Sequence, residues 1–156
     1  MITMGNTDVL PLSIKLLFNN VYLETANMLC VLTEFKSKKK GIRLSELLFY
    51  YVIVSAKDYE AVTEQLREPE PGKKIKTQFQ RYESKMKSIL INLESADYIE
   101  LSASEKSDVY VKITKKGIDF VSGLEKDYFE LLQQRTREAK TIPYTKKNEK
   151  TLMGDF

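Results

Sequence analysis

The sequence predicts a mainly α domain that carries a small β-ribbon, an α+β fold, and three observations between Phe79 and Leu132 predict it. Phe79, Tyr82, Met86, Ile89, Leu90 and Leu93 recur at three- and four-residue steps, which places them on one helical face. The run ADYIEL is followed by a polar turn, SASEKSD, and then by VYVKIT, where Val109, Val111 and Ile113 alternate with Tyr110 and Lys112. Thr114 then stands where it can cap a further helix, with Phe120, Val121, Leu124, Tyr128, Leu131 and Leu132 on its stripe. Helix, two-stranded ribbon and helix in this order form the winged helix-turn-helix pattern. That fold serves either to read DNA or to hold protein partners.

The remaining elements follow from the amino terminus. Residues 1–11 read as a loose arm ending at Pro11. From Leu12 to about Phe35 the apolar residues keep a 3.6-residue period, which predicts one long additional helix with an unusually wide apolar face. So wide a face suggests contact on two sides, with the domain core and with a partner or a second copy. KSKKKG ends this helix: lysines suit the negative end of the peptide dipole, and Gly41 can adopt the left-handed closing conformation. Ile42 is placed to add a short edge strand to the ribbon. Ser45 is a candidate cap for the next helix, which holds Leu44, Leu47, Leu48, Tyr51 and Val52 inside. A further short helix spans Asp58 to Glu68 with Tyr59, Val62 and Leu66 inward. Two prolines and a glycine make REPEPGKK, at 67–74, the clearest loop. Pro143 and sparse apolar residues predict a flexible basic tail over 140–156, so that residues 12–139 form the winged-helix domain with its helical extension.

Composition bounds the chemistry. The chain has 156 residues, 30% charged and 42% hydrophobic, which is ordinary for one globular, helix-rich domain. It lacks histidine and has a single cysteine, Cys30, which removes the commonest general base, zinc sites of the Cys/His type and any internal disulfide. Cys30 in an apolar helix reads as a small core residue. Neither a Walker-type GxxxxGK[ST] nor any other glycine-rich phosphate loop occurs, and the acids at 58–70 read as a solvated helix face. No catalytic, cofactor-binding or metal-ligating residue is therefore expected, and no small-molecule substrate. MITMGNTDVLPLS lacks the basic start of an export signal. The longest apolar run, LLFYYVIVSA at 47–56, is half the ~20 residues that span a bilayer. A cytoplasmic protein with no membrane partner is expected.

Net charge is +3, yet the positive residues are clustered. Lys36, Lys38, Lys39, Lys40 and Arg43 form one group. Lys73, Lys74, Lys76, Arg81, Lys85 and Lys87 form a second, at the opening of the helix that a DNA-reading member of this fold lays in the major groove. Arg135, Arg137, Lys140, Lys146, Lys147 and Lys150 form a third. Lysine and arginine at such density neutralise phosphates without reading sequence. Gln78, Gln80, Arg81 and Lys85 are the side chains placed to read bases. Against base reading, the expected ribbon turn carries Glu105 and Asp108 against Lys106 alone, and acids repel the DNA backbone. The first two groups, from Lys36 to Lys85, are the candidate nucleic-acid contacts. Phe49, Tyr50 and Tyr51 point in different directions on a helix, so either one of them meets a partner, with Phe49 and Tyr50 the candidates, or the helix is buried on most sides within its own domain.

ETANMLCVLTEF, the lysine-rich turn, GIRLSELLFYYVIVSA and the segment MKSILINLESADYIELSASEKSDVYVKITKKGIDFV together resemble the small middle components of bacterial three-component ABC-ATPase systems. Lamassu-type anti-phage defence belongs to that group. The resemblance covers about residues 12–135. It implies a non-enzymatic adaptor that docks a larger coiled-coil, SMC-like ATPase and an effector such as a nuclease, and that contacts DNA without sequence preference. The pattern is shared with MarR- and PadR-like regulators, so a dimeric winged-helix transcriptional regulator is the alternative.

Overall fold

A computed structural model describes residues 20–104, 106–124 and 126–154. Among them run seven helices and a three-stranded antiparallel sheet. In chain order these are α1 (Asn20–Thr33), β1 (Ile42–Arg43), α2 (Leu44–Val54), α3 (Tyr59–Arg67) and α4 (Phe79–Ser95). There follow β2 (Ile99–Ala103), β3 (Val109–Ile113), α5 (Lys115–Ser122), α6 (Asp127–Ala139) and α7 (Lys146–Met153). The expected arm at 1–11 and the first part of the expected long helix, to residue 19, lie outside the described residues. No helix among those described is long and apolar enough to cross a membrane.

The sheet has the order β1-β3-β2, with Val111 opposite both Ile42 and Leu101. Ile42, Ile99, Val111 and Ile113 are buried, so the period-2 pattern sets which face meets the helices. The helix before the ribbon closes without glycine. Asp97 takes a left-handed φ of 64°, Tyr98 N–H donates to the Leu93 carbonyl, and Asp97 N–H donates to that of Glu94. This paired bond turns the chain from α4 into β2. Thr114 caps α5 as expected, accepting from Gly117 N–H at 3.1 Å. Ser45 does not cap α2: the helix starts at Leu44, directly after the edge strand, and Arg43 holds the cap position without a side-chain bond.

Gly41 delivers the chain into β1 with φ +86°, eight residues after α1 has ended. A Cβ there would press on the Val111 carbonyl, 2.7 Å from its carbon. Gly41→Ala is therefore expected to lower stability by roughly 2–3 kcal/mol, through left-handed strain and loss of the β1–β3 pairing. Gly72 also has a positive φ, but open space around it, so Gly72→Ala should cost less than half as much. Equal urea midpoints for the two variants would show that the close approach at residue 41 is relieved without cost.

Helix α2 lies at the centre. Every residue from Leu47 to Val54 is buried, against α1, α4, α6 and α7. This corrects the expectation of Phe49 and Tyr50 at a partner surface. Phe49 is 0% exposed, with the rings of Tyr50 and Tyr144 at 5.0 and 5.2 Å. Tyr50 is 4% exposed and its hydroxyl donates to the Ile142 carbonyl at 2.8 Å. Its phenol is pushed up to about 12, by burial first and then by Glu46. Three side chains pointing different ways each meet a layer of the chain's own making.

The expected flexible tail supplies one of those layers. Ile142 and Leu152 are fully buried, Thr145 caps α7 by accepting from Asn148 N–H, and Thr77 Oγ1 donates to the Leu152 carbonyl at 2.6 Å. Few apolar residues are present after 140, but each of these fills a gap beside α2. The helix expected from Thr114 through Leu132 is in fact two. Gly123 closes α5, and α6 restarts in a different phase that buries Phe129 and Leu132 and leaves Tyr128 and Leu131 at the surface. In α1 every residue from Ala26 to Leu32 is buried, against α4, α5 and α6, so over that span the wide apolar face is covered from within the chain. Cys30 sits in that span, and burial pushes its thiol up to about 12.

Candidate nucleic-acid interface

The first basic group lies on the connection from α1 to β1, and its lysines are exposed. Because β1 pairs with β3, this connection runs beside the ribbon, and Lys112 Nζ donates to the Lys39 carbonyl at 2.6 Å. Lys39, Lys40 and Lys112 line a surface cavity of about 410 Å³ together with Glu100, Ser102 and Tyr110. Lysines some seventy residues away in sequence thus offset the acids of the ribbon. Lys38 pairs with Glu46 at 3.6 Å, and Arg43 packs over the Tyr144 ring at 5.7 Å.

The second group divides. Lys73, Lys74 and Lys76 lie on the loop before α4 and, with Lys57, line a groove of about 730 Å³ that ends at Gln78 and Tyr82. The first turn of α4 carries no acid and Gln78 makes no cap bond. Its peptide dipole therefore adds to the lysine charge at this end. Asp58 is the one acid on the groove wall, and it accepts from Ala61 N–H as the cap of α3. Arg81 and Lys85 turn the other way. Both reach Glu24 of α1, Lys85 at 3.0 Å and Arg81 at 3.9 Å, and Arg81 also donates to Gln78 Oε1 at 3.0 Å. Three of the four residues placed to read bases thus have partners within the chain, although Gln78 and Arg81 stay exposed. The exposed face of α4 keeps one lysine, Lys87, against Glu83 and Glu94.

In the third group, Arg137 pairs with Glu34 at 3.1 Å and Lys140 donates to the Glu34 carbonyl at 2.6 Å, which fastens the end of α1 to α6. Lys146, Lys147 and Lys150 are exposed on α7. Arg135 points elsewhere. It stacks over Tyr59 at 4.7 Å and lines a cavity of about 260 Å³ with Asn27, Lys57, Tyr82 and Tyr128. The two hollows share Ser55, Ala56, Lys57 and Tyr82 in their walls.

Sequence reasoning found the lysines of the groove but missed Lys57 and Tyr82 in its wall, and Asn27 and Tyr128 in that of the smaller cavity. Only Asn27 left a local signal: an amide within an uninterrupted apolar run. Among the described residues no cluster of acids and cysteine could hold a metal ion. No family model matches the chain, and no curated protein or solved structure matches it.

Proposed function

We propose that the chain is a winged-helix adaptor of a multi-protein, SMC-like ATPase complex of anti-phage defence, docking the ATPase and its effector and contacting DNA without reading sequence. One observation carries the DNA half of this reading: the lysines gather in the groove before α4, while the outer face of α4 is nearly neutral. Phosphate contacts position a protein on nucleic acid, and base-edge contacts specify where. This chain offers the first set, while Arg81 and Lys85 are drawn to Glu24 and Arg81 is bonded to Gln78 at the surface. The adaptor half rests on the sequence resemblance, and on a helix α2 whose aromatics hold the domain together rather than form a reactive site.

Fluorescence anisotropy on two unrelated duplexes tests the DNA half. Both should bind with equal, micromolar or weaker affinity, falling linearly on a log–log plot as salt rises. Reversing Lys73, Lys74 and Lys76 to Glu should weaken both duplexes alike. A sequence-dependent footprint at physiological salt would favour the dimeric regulator instead. Co-expression with a neighbouring coiled-coil ATPase should yield a stable complex, and failure to co-purify would remove the adaptor half.

A further inference from the structure

The two edges of the sheet differ. β1 closes one side with two residues and passes straight into α2, which leaves little there for another chain to pair with. β2 forms the other edge, and among the described residues no further strand pairs with it. Its sequence, IELSA, holds neither proline nor lysine, and it matches β3 residue for residue without a bulge. Proline, lysine and bulges are the usual means by which a monomer blunts an edge strand. β2 has only the single charge of Glu100.

The ladder bonds fix which backbone groups lie open. Thr114 N–H donates to the Tyr98 carbonyl at one end of the ribbon, and Ser104 N–H to that of Asp108 at the other. Bonded and unbonded positions alternate in an antiparallel pair, so Glu100 and Ser102 are the residues of β2 that bond β3. Ile99, Leu101 and Ala103 therefore direct their N–H and C=O groups away from β3, toward the open edge. Their side chains share the inner face, where Ile99 is buried, Leu101 half-buried and Ala103 exposed. Glu100 and Ser102 are exposed on the outer face.

We propose that β2 pairs with β2 of a second copy of this chain, antiparallel across a two-fold axis at Leu101, so that the two sheets become one. In this register Leu101 exchanges both bonds with its own copy, and Ile99 does so with Ala103 of the second copy. The inner rungs are apolar throughout, since Val111 stands behind Leu101 and Ile113 behind Ile99, and the half-buried Leu101 gains its cover. On the outer face Glu100 has Lys112 opposite it within the chain and Ser102 of the second copy beyond, so no like charges meet. Moving the axis to Glu100 would set that carboxylate against its own copy. Moving it to Ser102 would leave Ile99 opposite a residue beyond the strand. The edge is thus complementary to itself in one register, which is why a second copy is its occupant. Five residues of edge bury less than the ~1,200 Å² of a standard interface, so the dimer is weak, on the order of micromolar. The inference does not rest on the nucleic-acid reading above.

Sedimentation velocity on the full chain, over a series from about 1 µM to 1 mM, should show the 18.1 kDa monomer passing into a dimer. Ala103→Pro removes an outward N–H and leaves the ladder to β3 intact; it should abolish the dimer without changing the melting temperature in dilute solution. Ser102→Glu sets like charges across both ends of the pairing and should weaken the dimer about fivefold. Ser102→Lys sets opposite charges there and should tighten it by a similar factor. Circular dichroism checks that each variant folds. A chain that stays monomeric throughout the series overturns the proposal, and if Ala103→Pro also releases it from a co-expressed partner, the edge belongs to a strand of that partner. A dimer that survives Ala103→Pro puts the contact elsewhere on the surface and overturns the proposal as well. Ser102 variants that both weaken the dimer overturn the register at Leu101.

Discussion

Phe49→Ala is expected to lower the unfolding free energy by about 3–5 kcal/mol, a large part of the ~5–15 kcal/mol that holds a typical domain. The side chain is fully buried, with ring partners on α2 itself and on the segment before α7. Its removal leaves a void that neither the rigid central helix nor Tyr144 can close. Urea denaturation followed by circular dichroism reads the loss as a lower midpoint at an unchanged slope. Phe49→Asp should not fold at all, since it buries an unpaired charge. A folded Phe49→Asp variant with normal helical content would return this residue to an interface role.

Leu152→Ala should cost about 2–5 kcal/mol, although the residue lies in a stretch that its sequence marks as a loose tail. Leu152 is 0% exposed, and its carbonyl accepts from Thr77, so α7 is clasped to the loop that precedes α4. Ending the chain at Pro143 should be at least as damaging and should also disturb the groove at Lys73, Lys74 and Lys76. Calorimetry distinguishes the two descriptions: a free tail leaves the melting temperature unmoved, whereas a packed one lowers it by many degrees.

The parts of the fold that were legible in the sequence are those with a strong local period. The stripe from Phe79 to Leu93, the alternation at 109–113, the Thr114 cap and the edge strand at Ile42 all stand where their patterns put them. What was illegible depends on pairings across long separations. Phe49 and Tyr50 resemble surplus aromatics until the segment at 142–152 covers them, and nothing near residue 49 announces that cover. The charge clusters have partners that their own surroundings do not announce. Arg81 and Lys85 both reach Glu24, some sixty residues earlier. The break at Gly123 separates α5 from α6, whose buried stripe runs through Phe129 and Leu132 and leaves Tyr128 at the surface.

The bond from the Tyr50 hydroxyl to the Ile142 carbonyl joins positions 92 residues apart. During synthesis the ribosome releases Leu47–Val54 long before residue 142 exists. The most apolar segment of the chain therefore lacks part of its cover until the last segment is made. Loop closure over such a span makes late, all-or-none folding the expected regime, with no stable amino-terminal half to await the rest. A stalled or prematurely ended message would then yield fragments that chaperones hold and proteases clear. Supply of working protein would be limited by completion of the chain more than by the rate at which synthesis begins.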